Sequence, residues 1–480
     1  MCRHCDSSSE HGFTRRDVLK GLGAAGAAGS LIGPSIFAAE GQPAAAQPAG
    51  VENPVIRVVY LRPRGKYWLG WPGTAWDPEG FVTRSRGLIE GFAKDLKMKV
   101  EFEPEPLYTG EAVNAFLAKV KDTKPQGVVV MPLHFDQWGQ VDRIAKCGVP
   151  TIVFAGLGQC FTGHIAGISR YPGVYLASTA DFELKPVRWG LKMIRAAHDV
   201  RRVKIAVVRG NQTKDQTLEP FGMSVRFIPR SRFPEVFKTI GETPEVQAVA
   251  DEYSKAAQKC VEPTRADMIN AARCYFTALK ILKDEGCDGI TMDCLGLVSD
   301  RQIPTPPCLA WAKLLDVGLL GVCEADINAV MSELLCIKLL DKPGFMQDPV
   351  PETVHNTFIG AHCVCPTKLN GFDKPGEPFV LRSHSESNIG VSLQVLWKVG
   401  QEVTVMQMTG PGSMILGKGR VLANNDTPPA GGCRTSVELA IDAPADTRDT
   451  KGFHQLFIYG DHVRDFQAYA QMWGIKAEHI

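Results

Sequence analysis

The sequence predicts an α/β chain: two parallel-sheet domains in succession, then a β-rich end. Three observations carry that expectation. Short apolar, β-branched runs alternate with segments of helical period from Val55 to about residue 340, the pattern of parallel sheets covered on both faces. Past about residue 350 the runs turn strand-like and are separated by Gly, Pro and Asn, as in an antiparallel sheet or small barrel. Finally, 480 residues with 44% hydrophobic and 22% charged side chains make a globular composition of two or three domains, each able to bury a core.

Residues 1–50 precede the first strand and read as an export signal and linker. Thr14-Arg15-Arg16-Asp17-Val18-Leu19-Lys20 matches a twin-arginine signal, with Val18 where Phe is commoner. The weakly apolar stretch Gly21–Ala39 is broken by Pro34 and followed by the Ala/Pro/Gln-rich run Gly41–Gly50. That order makes a good signal and a poor membrane anchor. Cleavage after Ala39 or within Ala44-Ala45-Ala46 is equally compatible with it. The expected partner is therefore the twin-arginine export machinery, and the expected destination is periplasmic or otherwise extracytoplasmic, reached in folded form. No stable membrane anchor is expected, because no other stretch reaches ~18 uninterrupted apolar residues.

The first domain, residues 51–180, takes buried strands at Val55–Leu61, Gly127–Met131 and Thr151–Ala155, and a further strand at Lys99–Phe102. Helices fall at Gly87–Leu96, at Ala112–Lys121 and between the last two strands. The second, residues 181–349, runs through a helix around Pro186–Ala197, the strand Val203–Val208 and the long helix Ala266–Glu285. The strand Gly289–Met292, the helix Leu309–Asp316 and the strand Leu319–Cys323 follow, then the helical segment Ala325–Leu340. In that segment Ile327, Val330, Met331, Leu334 and Leu335 share one face, and Lys342-Pro343-Gly344 ends it. Both domains are expected to be Rossmann-like, although neither a phosphate loop nor a dinucleotide fingerprint is present. The third, residues 350–480, has strand-like runs at Val391–Leu396, Glu402–Gln407, Ser413–Val421 and Ser436–Ile441, and a closing helix at Val463–Trp473.

Charge and cysteine content narrow the function. Lys+Arg 53 against Asp+Glu 52 leaves a formal charge of +1, with no basic excess to hold nucleic acid. A small, weakly charged ligand is the better expectation. The 14 cysteines include Cys2 and Cys5 in the signal; the others are scattered through apolar or helical surroundings. They read as free core thiols, and Cys363-Val364-Cys365 without a second pair is weak support for zinc.

Chemistry gathers in the last third. Glu324 follows the strand Leu319–Cys323, at the carboxyl end where α/β sheets place ligands. Asp348 lies just past the next helix, and His362 and His454 sit in apolar or glycine-containing surroundings. Two carboxylates with one or two imidazoles suit a divalent ion that keeps open positions for substrate oxygens. Each residue also has a bland reading, as a helix-dipole partner, a cap or a core histidine. Near the first strand, Tyr67, Trp68, Trp71 and Trp76 could stack on sugar C–H faces, or pack a hydrophobic loop or a subunit interface.

A resemblance shifts the balance. Pro307-Cys308-Leu309-Ala310, Cys323-Glu324-Ala325-Asp326-Ile327-Asn328 and Asp348-Pro349 resemble the metal-site region of the L-fucose/L-arabinose isomerase superfamily. So do Leu381-Arg382-Ser383-His384-Ser385-Glu386-Ser387 with Gly390, and His454 followed by Gly460-Asp461. The likeness covers roughly Gly289–Ile480 and is only an order-of-elements match before Val203. It implies that Glu324 and Asp348 hold a divalent metal, most commonly Mn²⁺, and move the proton, while His454 completes the site. His362 lies near a second-histidine position used in arabinose isomerases, and could equally orient a ligand. Arg382, His384 and Glu386 are candidates to recognise substrate hydroxyls or orient the site, or would be inert as a polar turn on an exposed edge; Trp71, of the aromatic cluster, is the candidate to stack on substrate.

The implied reaction is aldose–ketose isomerisation of a free monosaccharide of the fucose or arabinose type through an enediol, in a homo-oligomer, trimeric or hexameric. Export is unusual for that family, and the chain is shorter than its typical members. The alternatives are therefore an exported sugar-binding protein and a non-catalytic protein built on the isomerase fold.

Overall fold

The computed structural model describes residues 53–65, 67, 77–427, 432–442 and 444–480. The expected export signal and Trp68, Trp71 and Trp76 lie outside the described residues.

The first sheet contains β1 (Val55–Leu61), β2 (Lys99–Phe102), β3 (Gly127–Pro132), β4 (Thr151–Gly156) and β5 (Val174–Thr179), in the order β2-β1-β3-β4-β5. Every pairing in it is parallel. Alternate side chains of β1 enter different cores: Ile56, Val58 and Tyr60 pack on one face, Val59 and Leu61 on the other. Burial on both faces is why the strand reads as an unbroken apolar run. Helices Pro78–Asp95 and Lys185–Val200 cover the first face, and Gly110–Thr123 and Trp138–Ala145 the second. Arg57 interrupts the run and is tolerated because Glu101 pairs with it at 2.8 Å.

The second sheet holds β6 (Lys204–Val208), β7 (Lys214–Leu218), β8 (Met223–Ile228), β10 (Gly289–Met292) and β11 (Leu320–Cys323), ordered β11-β10-β6-β8-β7. β7 is antiparallel to β8 and the other pairings are parallel. Between them in sequence, β9 (Lys259–Cys260) leaves for a small separate sheet. The helix Lys185–Val200, which opens the second unit in the sequence reading, packs on the first sheet through Val187, Leu191 and Ile194.

The C-terminal part is a closed antiparallel barrel. Its strands are β12 (Phe345–Glu352), β13 (Thr357–His362), β16 (Glu402–Gly410), β17 (Ser413–Asn424), β18 (Thr435–Ile441) and β19 (Gln455–Tyr459). The sheet order β16-β19-β12-β13-β18-β17 closes because β17 also pairs with β16. Closure leaves no barrel edge open to another chain. β14 (Phe379–Arg382) and β15 (Ser392–Val395) join β9, and β20 (Lys476–His479) pairs with β17.

Antiparallel pairing begins at Phe345, before residue 350. Pro343-Gly344 stops the helix Ile327–Leu340, and the residues that follow already bond to β19. Asp348 is thus a barrel residue and not part of a loop after the helix. That helix is the hub of the molecule. Residues from Ala329 to Ile337 are buried on every side of it, which accounts for a helix far more apolar than a surface one. It sits against β11, β16, β19 and the helix Lys185–Val200, so its N-terminus faces the junction of sheet and barrel.

Candidate metal centre

Four chain segments meet at that junction. Glu324 leaves the carboxyl end of β11. Asp348 lies on β12, paired opposite Ala361, and His362 ends β13 opposite Thr435. His454 immediately precedes Gln455, which pairs with Gln347 of β12. This register puts Asp348, His362 and His454 at one end of the barrel, over the strand end that carries Glu324.

The backbone turns sharply to achieve this. Glu324 and Ala325 have φ of 63° and 55°, and His454 has 58°. Left-handed geometry at a non-glycine residue costs roughly 1–2 kcal/mol. The Ala325 N–H, donating to the Met292 carbonyl at 3.0 Å, and the cap that follows hold the first turn. In that cap Asp326 Oδ1 accepts from the Ala329 N–H at 2.9 Å, starting the helix Ile327–Leu340.

The side chains form a tight cluster. Glu324 Oε1 lies 3.6 Å from His362 Nε2, and Oε2 lies 3.4 Å from His454 Nε2. Asp348 Oδ1 is 3.1 Å from His454 Nε2. Ligand atoms of Glu324, His362 and His454 all lie within 4.8 Å of one another. Both histidines are buried and the two carboxylates are partly exposed, so the cluster opens on its acidic side.

The two imidazoles are held differently. His454 Nδ1 is 2.8 Å from Asp326 Oδ2. A proton held there leaves Nε2 as the lone-pair donor, the arrangement of a metal-binding histidine fixed by an outer carboxylate. His362 Nδ1 instead accepts the Val364 N–H at 3.3 Å, which puts the ring proton on Nε2, facing Glu324. His362 is therefore suited to orient Glu324 by donating to it, while His454 is suited to bind an ion.

The electrostatics follow from this packing. The His362 and His454 rings hold the Glu324 carboxyl well below the usual carboxylate range, against the effect of burial. Burial pushes His454 down, but Asp326, Asp348 and Glu324 together outweigh it and raise the ring to about 11. His362 moves the same way: burial lowers it, and the Glu324 contact and the charge of Asp348 more than compensate. The carboxylates of Glu324, Asp326 and Asp348 thus converge on the two imidazoles.

Whether a metal fits can be tested on unpaired atoms. Asp348 Oδ1 and His454 Nε2 are both buried and neither makes a hydrogen bond of proper geometry, despite their 3.1 Å separation. Buried polar atoms left this way are costly. A carboxylate oxygen and an imidazole nitrogen 3.1 Å apart become, once the ring gives up its second proton, a hard–borderline donor set for a divalent ion. The residues fit.

The remaining expected residues are scattered. Arg382 uses its guanidinium on Glu262, with contacts of 3.0 and 2.8 Å, and on Gln394 at 3.0 Å. It ties β14 to the segment after β9. His384 is buried and bonds Ser387 Oγ at 2.9 Å, and Glu386 is exposed. Trp71 lies outside the described residues. Tyr67 packs edge-on against His134 with ring centroids 5.2 Å apart.

Sequence reasoning gave Asp326 no role of its own, although it stands in the quoted Cys323–Asn328 motif. Its signal was an Asp directly before a helical period. The exposed Phe453 ring, tilted over His454 at 4.2 Å, carried no such signal.

No protein-family model matches the chain, and no curated protein does. Among solved structures, it is similar to a solute-binding protein of an ABC transporter from Burkholderia multivorans. The match has 8% identity, covers 52% of this chain and 85% of that one, and has a TM-score of 0.19. Overlap that low carries no argument about fold or ligand.

Proposed function

We propose that the protein is a metal-dependent aldose–ketose isomerase acting on a free monosaccharide of the fucose or arabinose type. One observation carries the reading: the Glu324, Asp348 and His454 cluster, with His454 fixed by Asp326 and an imidazole and a carboxylate atom left unpaired. On this reading the two parallel-sheet domains are Rossmann-like supports, and Glu324 leaves the second of them. The resemblance of Cys323–Asn328, Asp348-Pro349 and His454 to the fucose and arabinose isomerases gives the reaction class. The same reading takes the protein as a homo-oligomer exported in folded form.

Glu324, Asp348 and His454 would hold the ion, with Mn²⁺ as the first choice for a carboxylate-rich set. Such an ion polarises a carbonyl and stabilises the negative charge that develops on its oxygen. The chain's own residues do the rest. Glu324 and Asp348, both close to His454 Nε2, would take a proton from one carbon and return it to its neighbour. His362 Nε2, 3.6 Å from one Glu324 oxygen, would favour that oxygen turning away from the substrate. Asp326 keeps His454 in the tautomer that binds. The exposed Phe453 ring offers a flat apolar face beside the cluster, of the kind sugar C–H groups pack on.

The deciding experiment is metal analysis of the purified protein beside Glu324→Gln and Asp348→Asn, each then assayed with Mn²⁺ on a panel of aldoses. Metal in the parent, its loss in both variants and turnover of one sugar would establish the isomerase. A metal-free, inactive protein that still binds sugar would sink the catalytic assignment and leave an exported sugar-binding protein. Metal without turnover or sugar binding would leave a non-catalytic member of the same fold.

A further inference from the structure

Three buried glutamines lie beside the turn that carries His454, and the isomerase reading gives them no part. Gln347 belongs to β12, Gln407 to β16 and Gln455 to β19, strands that are neighbours in the barrel. Burying an amide is costly unless it is hydrogen-bonded, and here the bonds run to the turn. Gln347 Nε2 donates to Gln455 Oε1 at 3.1 Å, and Gln455 Nε2 donates to the Lys451 carbonyl. Gln407 takes both main-chain groups of a single residue. The Phe453 N–H donates to Gln407 Oε1 at 3.2 Å, and Gln407 Nε2 donates to the Phe453 carbonyl.

The Gln407 amide thus stands in for a strand peptide, exchanging both bonds with Phe453 as one residue of an antiparallel pair does with another. The main chain supplies no substitute. Among the described residues, no main-chain group of Lys451, Gly452 or Phe453 bonds to another main-chain group. Yet the turn needs a hold, because Gly452 and His454 both sit at positive φ, 93° and 58°, and His454 lacks a glycine's freedom there. The same contact explains the glycine at 452. A Cβ on it would press on Gln407 Oε1 and lie 2.5 Å from Ile415 Cδ1.

We infer that Gln407 is a positioning residue of the site: through its two bonds to Phe453 it sets where the His454 ring and the Phe453 ring point. The inference rests on the isomerase reading, in which His454 binds the ion and Phe453 is the face a sugar packs on. Asp326 and Gln407 divide the work. Asp326 holds the imidazole at Nδ1, whereas Gln407 holds the main chain from which that ring hangs. Neither replaces the other, because functional side chains must be kept within about 0.5 Å of their working geometry by the residues behind them.

The test compares the full-length parent, freed of metal by a chelator, with Gln407→Met, which keeps the side chain's length and loses both bonds. Gly452→Ala is a second variant that displaces the amide while leaving Gln407 intact. Residue-resolved hydrogen exchange reads the Phe453 N–H. Proton NMR reads the His454 Nδ1–H, assigned by its loss in His454→Gln, and Mn²⁺ titration reads affinity. In both variants the Phe453 amide should exchange about tenfold faster. The His454 resonance should shift or broaden, and Mn²⁺ affinity should fall about tenfold.

A parent whose Phe453 amide exchanges as fast as in an unstructured peptide would overturn the inference, whether or not the variants fold. So would variants that free this amide but leave the His454 resonance, or the Mn²⁺ affinity, where it was. Exchange and resonance are both read without metal, so the two readings fail separately. A parent that binds no Mn²⁺ sinks the isomerase and still leaves the hold of Gln407 on His454 decided by those two measurements.

Discussion

Asp326→Asn is the most informative single change. In the native site Asp326 does two jobs with two oxygens: Oδ2 holds His454 Nδ1 at 2.8 Å, and Oδ1 caps the helix Ile327–Leu340 through the Ala329 N–H at 2.9 Å. Asparagine keeps a good cap and can still accept from Nδ1–H through its carbonyl oxygen. What it removes is the negative charge behind the ring. The Asp326 and His454 side chains are only 22% and 5% exposed, so solvent does little to screen that charge. Charge-assisted hydrogen bonds are about twice as strong as neutral ones. Loss of such an outer partner costs about 10–100-fold in metal affinity.

With the hydrogen bond retained, the asparagine should sit near the lower end, about tenfold or 1.4 kcal/mol. Asp326→Ala loses both jobs, so it should approach the upper end and also cost the fold about 1 kcal/mol for the missing cap. Calorimetric titration of chelator-treated protein with Mn²⁺, beside thermal unfolding of the same samples, separates the effects. If Asp326→Asn binds the ion as tightly as the parent, the proposed orientation of His454 by Asp326 is refuted.

Three further outcomes are expected. His454 carries a proton up to about pH 11 in the metal-free protein, so an ion must displace it. Titrations near pH 8 in buffers of different ionisation enthalpy should show about one proton released per ion, and no release would remove His454 from the ligand set. Glu333, buried in the hub helix with Oε1 on the Gly344 N–H at 2.8 Å and Oε2 unbonded, is pushed by burial up to about 8. Its folded-state value lies above its unfolded one, so the stability it contributes is full below the ordinary carboxylate range and is lost as pH rises to about 8. Glu333→Gln should flatten that decline in unfolding temperature between pH 5 and pH 9, and parallel curves for variant and parent would contradict it. Ala325→Gly, at a φ of 55°, should raise stability by up to about 1 kcal/mol, read by denaturant unfolding; a drop would mean that the turn is not strained.

Much of the architecture is legible because burial on two faces writes itself as apolar runs. Val55–Leu61 and Gly289–Met292 have the bounds the sequence predicts, as does the closing helix Val463–Trp473. The sequence reading has no strand at β5 or β7, which show a single fully buried residue each, although it has β2, where no residue is fully buried, and lacks β19, which is buried throughout. β12 and β13 escaped for a plain reason. Pro349 and Pro351 interrupt one and Gly360 the other, and those residues usually argue against a strand interior. Gly360 is there because the Phe457 ring and Gln347 occupy the space a Cβ would need.

The site was legible as residue types and by resemblance, whereas its geometry was not. Nothing in the spacing of Glu324, Asp348 and His454 says that β19 returns beside β12. Nor does it say which nitrogen of each imidazole is free, because Val364 and Asp326 decide that only once the chain is folded.

The division of the cluster between sheet and barrel also fixes an order of events. Glu324 belongs to one folded body; Asp348 and His454 belong to another, which closes only when β19, near the end of the chain, has paired with β12 and β16. A half-made chain leaving the ribosome offers an ion no more than scattered single ligands. On the metal reading proposed above, capture would wait until the last strands are in place, and a bound ion would then act as a clasp across the seam, slowing any opening of one body from the other. Whichever compartment supplied the metal would have to meet the finished protein there.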